Sequence, residues 1–148
     1  MTLILIISLL TFMPAEPDRD DLLIFQSEYS VEETRNRLVT VLRDAGMNII
    51  TQVNHQTGAE VVDLDLRPTH LVLFGNPKAG TPIMQCSQLA GIDLPQKALI
   101  WEDDNGDVWL AFNNPRYLGE RHGILNECEE ELNSAHTALN RFGESTIE

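Results

Sequence analysis

The chain has 148 residues and a mass of 16.6 kDa, the size of a single domain. Its 23 acidic residues outnumber 10 basic ones, for a formal net charge of -13 and a pI near 4.5. That balance excludes nucleic-acid binding through phosphates and attraction to an anionic membrane surface. A hydrophobic share of 43% excludes a disordered acidic tail, and two cysteines cannot frame a disulfide-rich scaffold.

Leu3 to Met13 is apolar apart from Ser8 and Thr11. At ~1.5 Å per helical residue it is too short to cross a ~30 Å hydrocarbon core, but it has the length of a signal-peptide core. Residues 1–15 are therefore expected to be an export signal cleaved after Ala15. The mature protein would be periplasmic, with no stable membrane anchoring. No Lys or Arg precedes the run. The alternative is an N-terminal strand or helix buried in a cytoplasmic domain. Without internal repeats or a low-complexity linker, residues 20–148 read as one domain.

Leu22 to Gln26 predicts a strand. Ser30-Val31-Glu32-Glu33 is a capping box opening a helix whose Val31, Leu38, Leu42 and Ala45 share one face, with Gly46 as its stop. Met47 to Asn54 and His70 to Phe74 predict strands. Thr81-Pro82 reads as a cap and first-turn proline for a helix through Ala90. Lys97–Glu102 and Asp107–Phe112 predict a hairpin around Asn105-Gly106, a pair suited to a type I′ turn. Asn114-Pro115 starts another helix. Leu125, Cys128, Leu132, Ala135, Leu139 and Phe142 recur at steps of three and four, which predicts a helical extension over 124–143. Adjacent strands interrupted by helices predict an α+β fold with a largely antiparallel sheet.

Gly75 to Thr81 has part of the spacing of a phosphate-binding loop, but no Lys follows Gly80, so nucleoside triphosphate binding is rejected. Two readings remain. One is an anion site at the helix start beside Lys78, and the other is a tight turn shaped by Gly and Pro. His55 ends a strand and His122 sits at a helix break, places where functional side chains gather. His70 reads as a surface or edge residue and His136 as exposed. No histidine pair has the spacing of a local metal site. Glu102 faces away from Trp101 and Asp103 and is the notable carboxylate near the hairpin. Cys86 and Cys128 read as small core residues. In an exported chain they could pair, but their spacing does not show proximity.

Seven segments then resemble the domain-of-unknown-function 302 family in order. They are Val53 to Ala59, Leu66 to Thr69, Phe74 to Pro77, Gly80 to Pro82, Asp93 to Pro95, Ala98 to Asp103, and Pro115 to Leu118 with Arg121 to Gly123. The resemblance covers roughly 22 to 125. It implies a curved, mainly antiparallel sheet flanked by helices, related to the TATA-binding-protein-like arrangement, and a tendency to form homodimers. The C-terminal helix is additional to it. The family pattern has an Asp where Asn54 stands here, which weakens a catalytic or metal role for His55. No cofactor or reaction is implied.

The expectation is a domain that binds a small ligand or metal ion, with His55, Asn76, Lys78, Glu102 and His122 converging near strand ends. One alternative is an enzyme using a His–carboxylate pair for acid–base chemistry. Another is a structural dimerising subunit.

Overall fold

The structure, a computed structural model, describes residues 19–148, so the expected signal segment lies outside the described residues. In chain order the elements are β1 (Leu22–Ser27), α1 (Val31–Asp44), β2 (Asn48–Asn54), α2 (His55–Glu60) and β3 (Thr69–Gly75). There follow α3 (Pro77–Cys86), a 3-10 turn (Gln88–Ile92), β4 (Gln96–Glu102), β5 (Val108–Asn113), α4 (Pro115–His122) and α5 (Glu129–Ile147). The strands form one open antiparallel sheet in the order β1-β5-β4-β3-β2. The expected α+β class and the five expected strands are present.

Caps explain most helix starts. Ser30 accepts a hydrogen bond from the Glu33 amide at 3.2 Å, and Asn114 accepts from the Arg116 amide at 3.1 Å. Gly123, at φ 67°, ends α4 in the left-handed conformation that glycine adopts without a Cβ penalty.

Alternation sorts the sheet into two faces. Val72, Phe74, Ala98, Ile100, Leu110 and Phe112 point to the face covered by α1 and α5, where they pack with Leu38, Leu42 and Leu139. Burying each large side chain contributes about 1.5–3 kcal/mol. Helix α5 lies so close to β1 that a Cβ on Gly143 would run into the Phe25 ring. Phe25 in turn sits edge-on to Phe112. A second, smaller cluster of Ile83, Ala90, Leu118, Ile124, Cys128 and Leu132 contains no strand residue. It joins α3, the 3-10 turn and α4 to the start of α5, and Cys86 and Cys128 are bonded there as a disulfide.

Several local expectations change. Helix α3 begins at Pro77, not Thr81, because Asn76 caps it, and Pro82 lies inside the helix. The hairpin turn is not type I′. The Asp103 carbonyl accepts from the Gly106 amide, and Gly106 alone in the loop has positive φ. The Asp103 carboxylate gathers the Asn105 and Asp107 amides and the Trp109 indole N–H, which stabilises the longer loop. Leu125 precedes α5 and is exposed, so the apolar seam starts at Cys128.

Candidate functional site

The seam of α5 is divided. Cys128 and Leu132 enter the small cluster, while Leu139 and Phe142 enter the main core. Between them Ala135 and Ala138 line a cavity of about 760 Å³. Phe74, Leu139 and Phe142 supply its apolar side, with Met47, Leu94 and Pro95 at the strand ends. Two small alanines between two packed clusters leave the space open.

Polar groups reach this cavity from one end of the sheet. Asn76 accepts from the Lys78 amide at 2.9 Å and donates to the Gly46 carbonyl at 3.2 Å. The Ala79 and Gly80 amides bond to the Asn76 carbonyl, and Pro77 has no N–H. The first turn of α3 is therefore satisfied internally, so of the two readings of this segment the tight, Asn- and Pro-shaped turn is the one its hydrogen bonds match. Lys78 is exposed and lines the same cavity as Glu130 and Glu131. Gln96, opposite Phe74 in the sheet, also lines the cavity, and its Oε1 is buried without a hydrogen-bond partner. That is costly unless something donates to it.

The five expected site residues do not converge. Asn76 follows β3 and His122 ends the helix that follows β5, so with Lys78 they belong to one end of the sheet. His55 follows β2 and Glu102 ends β4, both at the other end, about 20 Å away along seven-residue strands. Antiparallel pairing decides this, because it sends alternate strand ends in opposite directions. His55 is exposed. Asn54 caps α2 by accepting from the Thr57 amide at 3.1 Å, a role Asn and Asp perform alike. Glu102 lines a polar cleft with Glu28 and Asp107. Among the described residues no group of three or more His, Cys, Asp or Glu is placed to hold a metal ion.

His122 has a carboxylate partner, Asp93, which the sequence offered within the family pattern but not as a site residue. Its Nε2 lies 2.6 Å from Asp93 Oδ2, and Arg121 donates to Asp93 Oδ1 at 2.9 Å. The His122 side chain is only 8% exposed. Asp93 follows the 3-10 turn, so the trio ties that turn to α4. His70 is not at an edge. It sits on β3, half-buried toward α1, and its pKa is lowered, first by burial and then by the Arg35 charge. His136 is not fully exposed either, since its Nδ1 lies 3.1 Å from Asn114 Oδ1.

The fold has a solved counterpart. A crystal structure of an uncharacterised conserved DUF302 protein from Bacillus stearothermophilus superposes with a TM-score of 0.76 at 18% identity, covering 86% of this chain and 99% of that one. Two curated relatives are 45% identical over 103 residues: fluoride-specific ion channel FluC 1 of Brucella suis biovar 1 and FluC 2 of Brucella melitensis biotype 1. The aligned part is 70% of this chain but only 41% and 38% of those proteins. The model of the domain of unknown function DUF302 matches residues 23–142. The chain belongs to the domain-of-unknown-function 302 family.

Proposed function

We propose that this chain is the small-molecule-binding domain of an exported, dimeric protein, with the cavity beneath α5 as its site. The observation that carries the reading is an apolar cavity of ligand size walled by Phe74, Leu139 and Phe142, with Asn76, Gln96 and Lys78 as polar residues in its lining. The ligand class that fits is a largely apolar molecule with a polar end, since the apolar lining is joined by Lys78, Glu130 and Glu131. A metal ion fits the same residues poorly, because amide oxygen and apolar carbon dominate the lining. Export is supported by the Cys86–Cys128 disulfide, a bond that persists in oxidising compartments.

The acid–base alternative has the His122–Asp93 pair in its favour. That pair is enclosed and does not line the cavity, so we assign it to positioning α4. The fluoride-channel relatives support a narrower setting: a non-channel unit that works beside a membrane ion channel. No helix among the described residues is long and apolar enough to cross a membrane.

The test is titration with the fluorescent apolar probe anilinonaphthalene sulfonate, followed by a thermal-shift panel of apolar alcohols, amines and amides. The expected result is saturable 1:1 probe binding that Ala138→Trp abolishes while leaving the fold intact. Probe binding unchanged by Ala138→Trp, or none at all, overturns the reading.

A further inference from the structure

The face of the sheet opposite α1 and α5 is apolar along its centre, with Gln26, Thr51, Thr69 and Asn113 as its uncharged polar strand residues, and no α-helix among the described residues packs on that centre. Its register is explicit. Val53 pairs with Leu71, Leu71 with Leu99, Leu99 with Ala111, and Ala111 with Ile24. These five side chains form one continuous row across all five strands. The neighbouring row places Thr69 beside Trp101, and Trp101 beside Trp109. Both tryptophans of the chain therefore lie on this face. The indole N–H of Trp109 is satisfied by Asp103, so what the ring presents is carbon. The one charged strand residue on the face is Lys97, and its ammonium folds back onto the Asp93 and Pro95 carbonyls at 3.0 and 3.2 Å.

We propose that this uncovered sheet face is the contact between two copies of the chain. The inference rests on the dimeric reading above and locates the surface responsible. Charge argues for it. Copies carrying -13 each repel one another across most of their surfaces, whereas the strand residues of this face include no carboxylate and the nearest acidic group, Asp103, lies at its hairpin end. Area argues for it too. Five strands ~4.8 Å apart and six residues long at ~3.3 Å make a face of about 500 Å² in plan. Side-chain relief raises that toward the ~800 Å² per partner of a standard interface.

Shape supplies the register. A closed dimer needs a twofold axis. An axis parallel to the central strand β4 lays β3 of one protomer over β5 of its partner. Leu71 then opposes the partner's Ala111, and Trp109 opposes the partner's Thr69. These two pairings set a large side chain against a small one, while Val53 faces the partner's Ile24 and Trp101 faces its own copy. Leu99 meets its own copy at the axis.

The experiment measures the mass of the full chain by sedimentation equilibrium across micromolar concentrations, with tryptophan emission read in parallel. The expected result is twice 16.6 kDa, with emission shifting to the red on dilution as Trp101 and Trp109 are uncovered. Leu99→Lys is expected to weaken the dimer more than about 100-fold, since it buries two unpaired like charges at the axis. Leu71→Lys serves as a second variant should the first fail to fold by circular dichroism. A monomer at every concentration overturns both the face and the dimeric reading, including the case where the face instead binds phosphatidylcholine vesicles. A dimer that both variants leave intact overturns the face alone.

Discussion

The two hydrophobic clusters are held together by different means. The main core packs two long helices on a five-stranded sheet and relies on burial, with Leu38, Phe112 and Leu110 fully enclosed. The smaller cluster gathers short helices and a turn, has no strand, and is reinforced by the Cys86–Cys128 disulfide and the Asp93–Arg121–His122 contacts. The difference shows what a small cluster requires. With little area to bury, it is secured by a covalent link and by polar contacts that cross long stretches of chain. Helix α5 spans both, and the cavity lies where one packing scheme gives way to the other.

Substitutions can break this contrast. Phe112→Ala removes a fully buried ring that two other phenylalanines meet edge-on. It is expected to cost about 3–5 kcal/mol in denaturant unfolding, as one cooperative loss of sheet and helices. Replacing both cysteines by serine opens a loop of 42 residues and is expected to cost about 2–4 kcal/mol. Hydrogen exchange is the measurement that sharpens the comparison. Faster exchange confined to α3, α4 and the start of α5 would mark the small cluster as a separately opening unit. Equal acceleration in β3 and β4 would mean that the two clusters open together.

The smallest effect concerns pH. His70 lies at the rim of the main core, near Arg35 and Glu32 of α1 and His55 of α2, and its pKa is lowered below the ordinary 6.5. The unfolded chain therefore takes up the proton more readily. The stability this site contributes is complete above pH 6.5 and declines as pH falls below it. The thermal midpoint is expected to drop over that range, and His70→Gln should flatten the decline. An unchanged slope in the variant would assign the effect to other groups.

Much of the fold was legible because local signals carried it. Ser30 with Glu33, and Asn114 with Pro115, marked two helix starts that hold in the structure. Asn76-Pro77 carries the same cap-and-proline signal as Asn114-Pro115. It was obscured by the glycines around it, which suggested a loop. Helix α2 was not legible at all, being six residues long with Gly58 inside and no buried side chain to set a period. Of the five expected site residues only Asn76 and Lys78 reach the cavity. Gln96 gave no signal, since a strand glutamine is ordinary until its oxygen is enclosed.

What the sequence determined by itself is the set of elements and the two faces of each strand, because capping, turn chemistry and the two-residue alternation act over a few residues. What only the tertiary structure decided is which elements share an end, an interior or an opening. His122 meets Asp93 across 29 residues. Cys86 meets Cys128 across 42. His55 and His122 part because antiparallel strands deliver them to opposite ends of the sheet. Such proximities follow from strand order and from the path of α5, and neither is encoded in any short stretch of chain.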